Sequence, residues 1–169
     1  MRSRRALWLL LVVGCAPRKA VSPPIESSSD TSVDPAAGSA ITLERTACFG
    51  ACPVYSISVS RDGAITYEGR AHVRHLGAAT ARISPNRVNA LLSELENGGY
   101  FSLAGRYTPA EPVCGRYSTD SPSAITSVQI GGRTKRIEHD YGCGSVPGAL
   151  TVLEQRIDEV LGSTRWTGR

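Results

Sequence analysis

The stretch VYSISVS, Val54 to Ser60, alternates without a break: Tyr55, Ile57 and Val59 fall on one side and serines on the other. Successive strand side chains point to opposite faces, so this pattern demands a strand with one face buried and one in water. The residues that follow tighten the constraint. Arg61-Asp62-Gly63 leads into AITYEG, in which Ile65 and Tyr67 are apolar. A two-residue Asp-Gly turn sets Val59 against Thr66 and Ile57 against Glu68. A three-residue loop over 61–63 pairs Val59 with Ile65 and Ile57 with Tyr67 instead. Matching faces select the longer loop, with Gly63 left-handed in a bulge. Strand character continues weakly through RAHVRHL to a turn at Gly77.

A second hairpin follows the same logic. AITSVQI, Gly131-Gly132 and RTKRIEH close with a two-residue turn, which puts Ala124, Thr126 and Val128 on one face with Ile137 and His139. Two helices separate and follow the hairpins. The first has Ser84 as cap, Pro85 at its first position and a stripe of Val88, Leu91, Leu92 and Leu95, with Gly98 as the stop. The second runs from Pro147 to Leu161 on Leu150, Leu153, Ile157 and Val160 and ends at Gly162. Residues 102–123, rich in glycine and proline, form a connection longer than ordinary loops. The expected fold is α+β: an antiparallel sheet of about five to six strands, two hairpin-plus-helix halves, with two helices packed on one face.

The N-terminus bears on location. Arg2, Arg4 and Arg5 precede an apolar run from Ala6 to Val13, far short of the ~20 residues a spanning helix needs. The run ends in VVGC, Val12 to Cys15, which resembles the bacterial lipoprotein box. The resemblance implies cleavage before Cys15 and acylation of that residue, so that several acyl chains hold the protein to a membrane. The expected organisation is a signal peptide over 1–14, a lipidated Cys15 with a disordered tether through residue 40, one domain over 41–162, and a tail over 163–169. The tether, rich in Pro, Ser and Ala, has little to bury and would span roughly 25–30 Å. Ala16, where an Asp commonly retains lipoproteins at the inner membrane, points to the outer membrane of an envelope that has one. The full chain carries 19 basic and 15 acidic residues, a net +4. Loss of the three leader arginines leaves 16 against 15, so the basicity gives no ground for a nucleic-acid partner.

Setting Cys15 aside leaves Cys48, Cys52, Cys114 and Cys143. An even number in an exported domain reads first as disulfides, and four cysteines allow three connectivities. Loop closure is worth about 2 kcal/mol for Cys48–Cys52 and about 3.5 kcal/mol for Cys114–Cys143. Crossed pairings score higher, so entropy alone does not choose; order of export and local geometry favour these two. On a straight strand Cys48 and Cys52 would lie about 13 Å apart, too far to bond, so Phe49-Gly50-Ala51 must fold back. The alternative is chemical. Cys-x-x-x-Cys-Pro resembles the copper-binding loop of the copper-delivery proteins for cytochrome oxidase, and that resemblance implies a metal or thiol-redox site of Cys48, Cys52 and His139. Their loop opens a helix, whereas this one runs into an alternating strand.

Other residues offer less. His72 and His75 on a strand would point to opposite faces. His139 lies among apolar positions, as a packing histidine does. Arg133, Lys135 and Arg136 suit a charged strand edge. Asp120 sits in a Ser-Pro turn as an Asx-turn residue. No GxSxG elbow, phosphate loop or His-Glu-x-x-His motif occurs. No catalytic residue and no cofactor is expected. The order of ITLERTACFGACPVYSISVSRDGAITYEG, a helix, ITSVQIGGRTKRIEHDYG and a second helix resembles a family of bacterial envelope domains of unknown function, with the signature Cys-Phe-Gly-x-Cys-Pro-x-Tyr at Cys48 to Tyr55. It implies a single α+β domain and assigns no activity. The expected role is a non-catalytic binding module, tethered to a membrane and meeting an envelope protein partner.

Overall fold

The computed structural model describes residues 38–168. Seven strands form one sheet: β1 (Ser39–Arg45), β2 (Val54–Ser60), β3 (Ala64–Ala71), β4 (Gly77–Arg82), β5 (Arg106–Tyr107), β6 (Ser123–Ile130) and β7 (Arg133–Asp140). Their spatial order is β4-β3-β2-β1-β6-β7-β5. Every pairing is antiparallel except β5 with β7. Three helices accompany the sheet: α1 (Pro85–Asn97), α2 (Gly148–Leu161) and α3 (Thr164–Thr167).

Both hairpins close in the registers that face-matching demands. Ile57 opposes Tyr67 and Val59 opposes Ile65, with Gly63 at φ +87°. Ile130 opposes Arg133 around Gly131 and Gly132, both left-handed. Helix α1 starts as its sequence dictates: the Ser84 hydroxyl accepts the Arg87 N–H, and Pro85 occupies the first turn. Helix α2 ends at Gly162 in the left-handed conformation.

The α+β class holds, but the described residues form seven strands rather than five or six, and three helices rather than two. β1 joins the halves, pairing Leu43 with Ile57 on one side and with Thr126 on the other. Its first residues, Ser39 and Ala40, lie in the segment expected as tether, and Ala40 is buried. β3 stops at Ala71; the turn covers 72–76, and Gly77 opens β4 instead of ending a strand. The long 102–123 connection contains β5 and a short 3-10 turn over Pro112–Cys114. Residues 163–168, expected as a tail, fold into α3 and bring Trp166 against Tyr67, ring centroids 4.7 Å apart.

The registers place one rung above another on the helix side. Ile65, Val59, Ile41 and Val128 form one rung; Tyr67, Ile57, Leu43, Thr126 and Ile137 form the next. These meet Val88, Leu91, Leu92 and Leu95 of α1 and Leu150, Leu153, Ile157 and Leu161 of α2 in a single core. The opposite face has no helix over it among the described residues.

Candidate binding site

One end of the sheet gathers both cysteine pairs. Cys48 is bonded to Cys52 with Cα atoms 5.7 Å apart, and Gly50 at φ +143° lets the intervening residues turn back. Phe49 at the tip is 89% exposed, while its N–H donates to the Asp120 carbonyl. Cys114 is bonded to Cys143, Cα atoms 4.7 Å apart. The two segments joined by that bridge also exchange backbone hydrogen bonds: Ser118 N–H to Gly142, Gly144 N–H to Arg116, and Ser145 N–H to Cys114. Asp120 is itself left-handed, at φ +68°.

Beneath this end runs a chain of polar side chains inside the fold. His139 Nδ1 lies 3.0 Å from both carboxylate oxygens of Glu154, and the two residues are 2% and 1% exposed. The Tyr141 hydroxyl donates to Glu154 Oε2 at 2.6 Å. Arg45 Nη1 donates to that hydroxyl at 2.6 Å and grips Asp158 Oδ2 through Nε and Nη2. Tyr55 donates to Asp158 Oδ1. Burial opposes the Arg45 charge, yet Asp158 and Tyr141 outweigh it and raise its pKa. Burial, with Asp158 adding to it, raises the Tyr55 phenol, and burial pushes Tyr141 up to about 12. These contacts pin α2 to β1, β2 and β7. A shallow recess of ~180 Å³ opens beside it, walled by Pro53, Pro122, Cys52 and Tyr55.

The sequence-nominated metal set does not assemble. Cys48 and Cys52 are bonded to each other, and the His139 ring is committed to Glu154 in the core. No group of three His, Cys, Asp or Glu side chains among the described residues is arranged to hold a metal ion. His75 Nε2 lies 3.1 Å from the Ala78 carbonyl, and His72 occupies a left-handed turn position. Arg133 pairs with Glu96, Arg136 with Glu138, and Lys135 Nζ donates to the Leu103 carbonyl. Cys15 and residues 1–14 lie outside the described residues.

A concavity opens on the uncovered face of the sheet, a trough of about 630 Å³. The registers draw a straight row across it: Thr80 opposes Thr66, Thr66 opposes Ser58, Ser58 opposes Thr42, Thr42 opposes Ser127, and Ser127 opposes Arg136. Five strands in succession therefore present a hydroxyl, one per inter-strand spacing of about 4.8 Å. Ser58 and Thr66 are 2.7 Å apart along the row. Glu44 and Glu68 flank it, the former paired with Arg70 at 2.5 Å. The serines on the polar side of VYSISVS were the one local signal of this surface. The row itself depends on pairing across β1, which no local pattern announces.

No match was found among curated proteins. A family model described as a domain of unknown function, DUF6438, matches residues 39–161, from the start of β1 to the end of α2. The chain belongs to the DUF6438 family.

Proposed function

We propose that the protein is a lipid-anchored, non-catalytic binding module of the bacterial cell envelope, and that the uncovered sheet face is its binding surface. The trough carries this assignment: its volume falls within the range of ligand sites, and it is lined with groups that both donate and accept hydrogen bonds. His139, Tyr141, Arg45 and Tyr55 reach Glu154 and Asp158 of α2, contacts that fasten the helix and support a structural part for these groups. Two disulfides in a domain of this size suit an oxidising compartment. The basic, apolar and cysteine-terminated order of residues 2–15 supports anchoring through Cys15.

The test is site-specific photo-crosslinking in cells that make the full chain. A crosslinker in place of Thr66, on the trough, is expected to capture an envelope component. One in place of Val152, exposed on α2, is expected to capture none. The Thr66 adduct should disappear with Cys15→Ala, which releases the chain from its membrane. Absence of an adduct at Thr66, or equal capture from both sites, refutes the assignment.

A further inference from the structure

The two edges of the sheet are finished differently. At one edge, β7 is covered over Glu138 and His139 by the two-residue β5, and the Glu138 N–H donates to Gly105. The remainder of β7 carries Arg133, Lys135 and Arg136, charges of the kind that keep an edge strand from recruiting another chain. At the other edge, β4 reads Gly-Ala-Ala-Thr-Ala-Arg: no proline, no bulge, no charge before Arg82. Among the described residues, β3 is its one partner in the sheet.

The outward-pointing backbone of β4 follows from its register. The Ile83 N–H donates to the Gly63 carbonyl, which sets the phase of the ladder, so Ala81, Ala79 and Gly77 bond inward to β3. Ala78, Thr80 and Arg82 therefore turn their N–H and C=O groups away from the sheet. Among the described residues, the contact recorded for these groups is the His75 ring on the Ala78 carbonyl.

From this we infer that β4 is the interface of a homodimer in which two copies pair β4 to β4 antiparallel, with Thr80 opposite Thr80 on the two-fold axis. A second copy is the occupant that fits because the strand complements itself. With Thr80 on the axis, all three outward residues fall in hydrogen-bonded positions, Ala78 against Arg82 and Arg82 against Ala78. No two like charges meet, since each Arg82 faces an alanine. The axis stands perpendicular to the sheet, so the uncovered faces of both copies lie on the same side. The hydroxyl row ending at Thr80 then continues into its mate.

The described residues 38–168 belong to one compact unit with its own core, so a chain beginning at residue 33 serves for the measurement. Sedimentation equilibrium across micromolar to hundred-micromolar concentration is expected to give a reversible dimer. Thr80→Lys, which sets two ammonium groups face to face on the axis, should weaken dimerisation by at least tenfold and leave the circular dichroism spectrum of the folded chain unchanged. Thr80→Cys should form a covalent dimer under mild oxidation, while Ser127→Cys on the same face should not. A chain monomeric throughout this range overturns the inference, as does a dimer indifferent to Thr80→Lys or a Thr80→Cys chain that stays uncrosslinked. Crosslinking of Thr66 to an envelope component would stand in any of those cases.

Discussion

Trp166→Ala probes how much of the domain hangs on a segment beyond the family span. The indole stacks on Tyr67 at 4.7 Å and 21°, and Tyr67 stacks in turn on Tyr55 at 5.7 Å. Trp166 is 8% exposed, so the substitution removes a nearly buried ring. Truncation of a buried tryptophan costs about 3–5 kcal/mol, of which the aromatic stack is about 0.5–1.5. Release of α3, which then regains conformational freedom, offsets part of that and places the expected loss at about 2–4 kcal/mol. Urea unfolding followed by circular dichroism measures it, because the variant lacks the domain's one tryptophan. Hydrogen exchange locates it: the Arg74 and His75 amides donate to the Thr167 and Trp166 carbonyls and should lose protection, while β2 amides keep theirs. Truncation after Gly162 should match the alanine variant within about 1 kcal/mol. A loss below 1 kcal/mol, or unaltered exchange at Arg74 and His75, refutes the account of α3 as the clamp on the β3–β4 turn.

Three further outcomes follow from the geometry. Replacing Cys114 and Cys143 by serine should cost about 3.5 kcal/mol, and replacing Cys48 and Cys52 about 2 kcal/mol, on loop closure alone; guanidinium unfolding would reverse the order if the short bridge bore the larger load. Arg45→Met or Asp158→Leu alone strands a half-buried partner and should cost about 3–5 kcal/mol, whereas the double variant should cost less than the sum, giving a coupling above about 1 kcal/mol; additive losses would mean that the pair is not a unit. Tyr141 and Tyr55 have phenols raised above the ordinary 10, so their contribution is intact below pH 10 and is lost as pH climbs toward 12 and beyond. Phenolate absorbance of these two should therefore appear together with alkaline unfolding, and their ionisation in the folded protein at pH 10 would contradict their burial.

The hairpins and long helices were legible because their determinants are local. Val54–Ser60 fixes its own faces, Gly63 and the Gly131-Gly132 pair fix their turns, and Ser84-Pro85 starts α1. What escaped is what only pairing creates. ITLER shows Ile41 and Leu43 in alternation, but nothing in five residues says that they will be flanked on both sides. β4 is a strand of glycine and alanine whose conformation is imposed by β3, against its own propensity. α3 is too short to carry a helical period, and Trp166 is visible only as an aromatic residue near the end. The interior network left one trace: Glu154 and Asp158, four apart, interrupt the apolar stripe of α2, a spacing that puts both carboxylates on one face. Their partners sit on β1, β2, β7 and just after β7, and no spacing along the chain could have named them.

The central position of β1 governs the order in which the domain can assemble. As the chain emerges N-terminus first, β1 appears before either neighbour, and β2 reaches it within a few residues. Its other edge waits until Ser123–Ile130 has been made. For that interval the emerging chain can pair β1 to β4 into a three- or four-stranded sheet with an open inner edge, the state from which strands are most readily borrowed by another chain. Neither hairpin half completes itself, so folding closes in one late step over long sequence separations, slow for a domain of its length. A chain cut short before Ser123 would hold an unfinished sheet rather than a finished half.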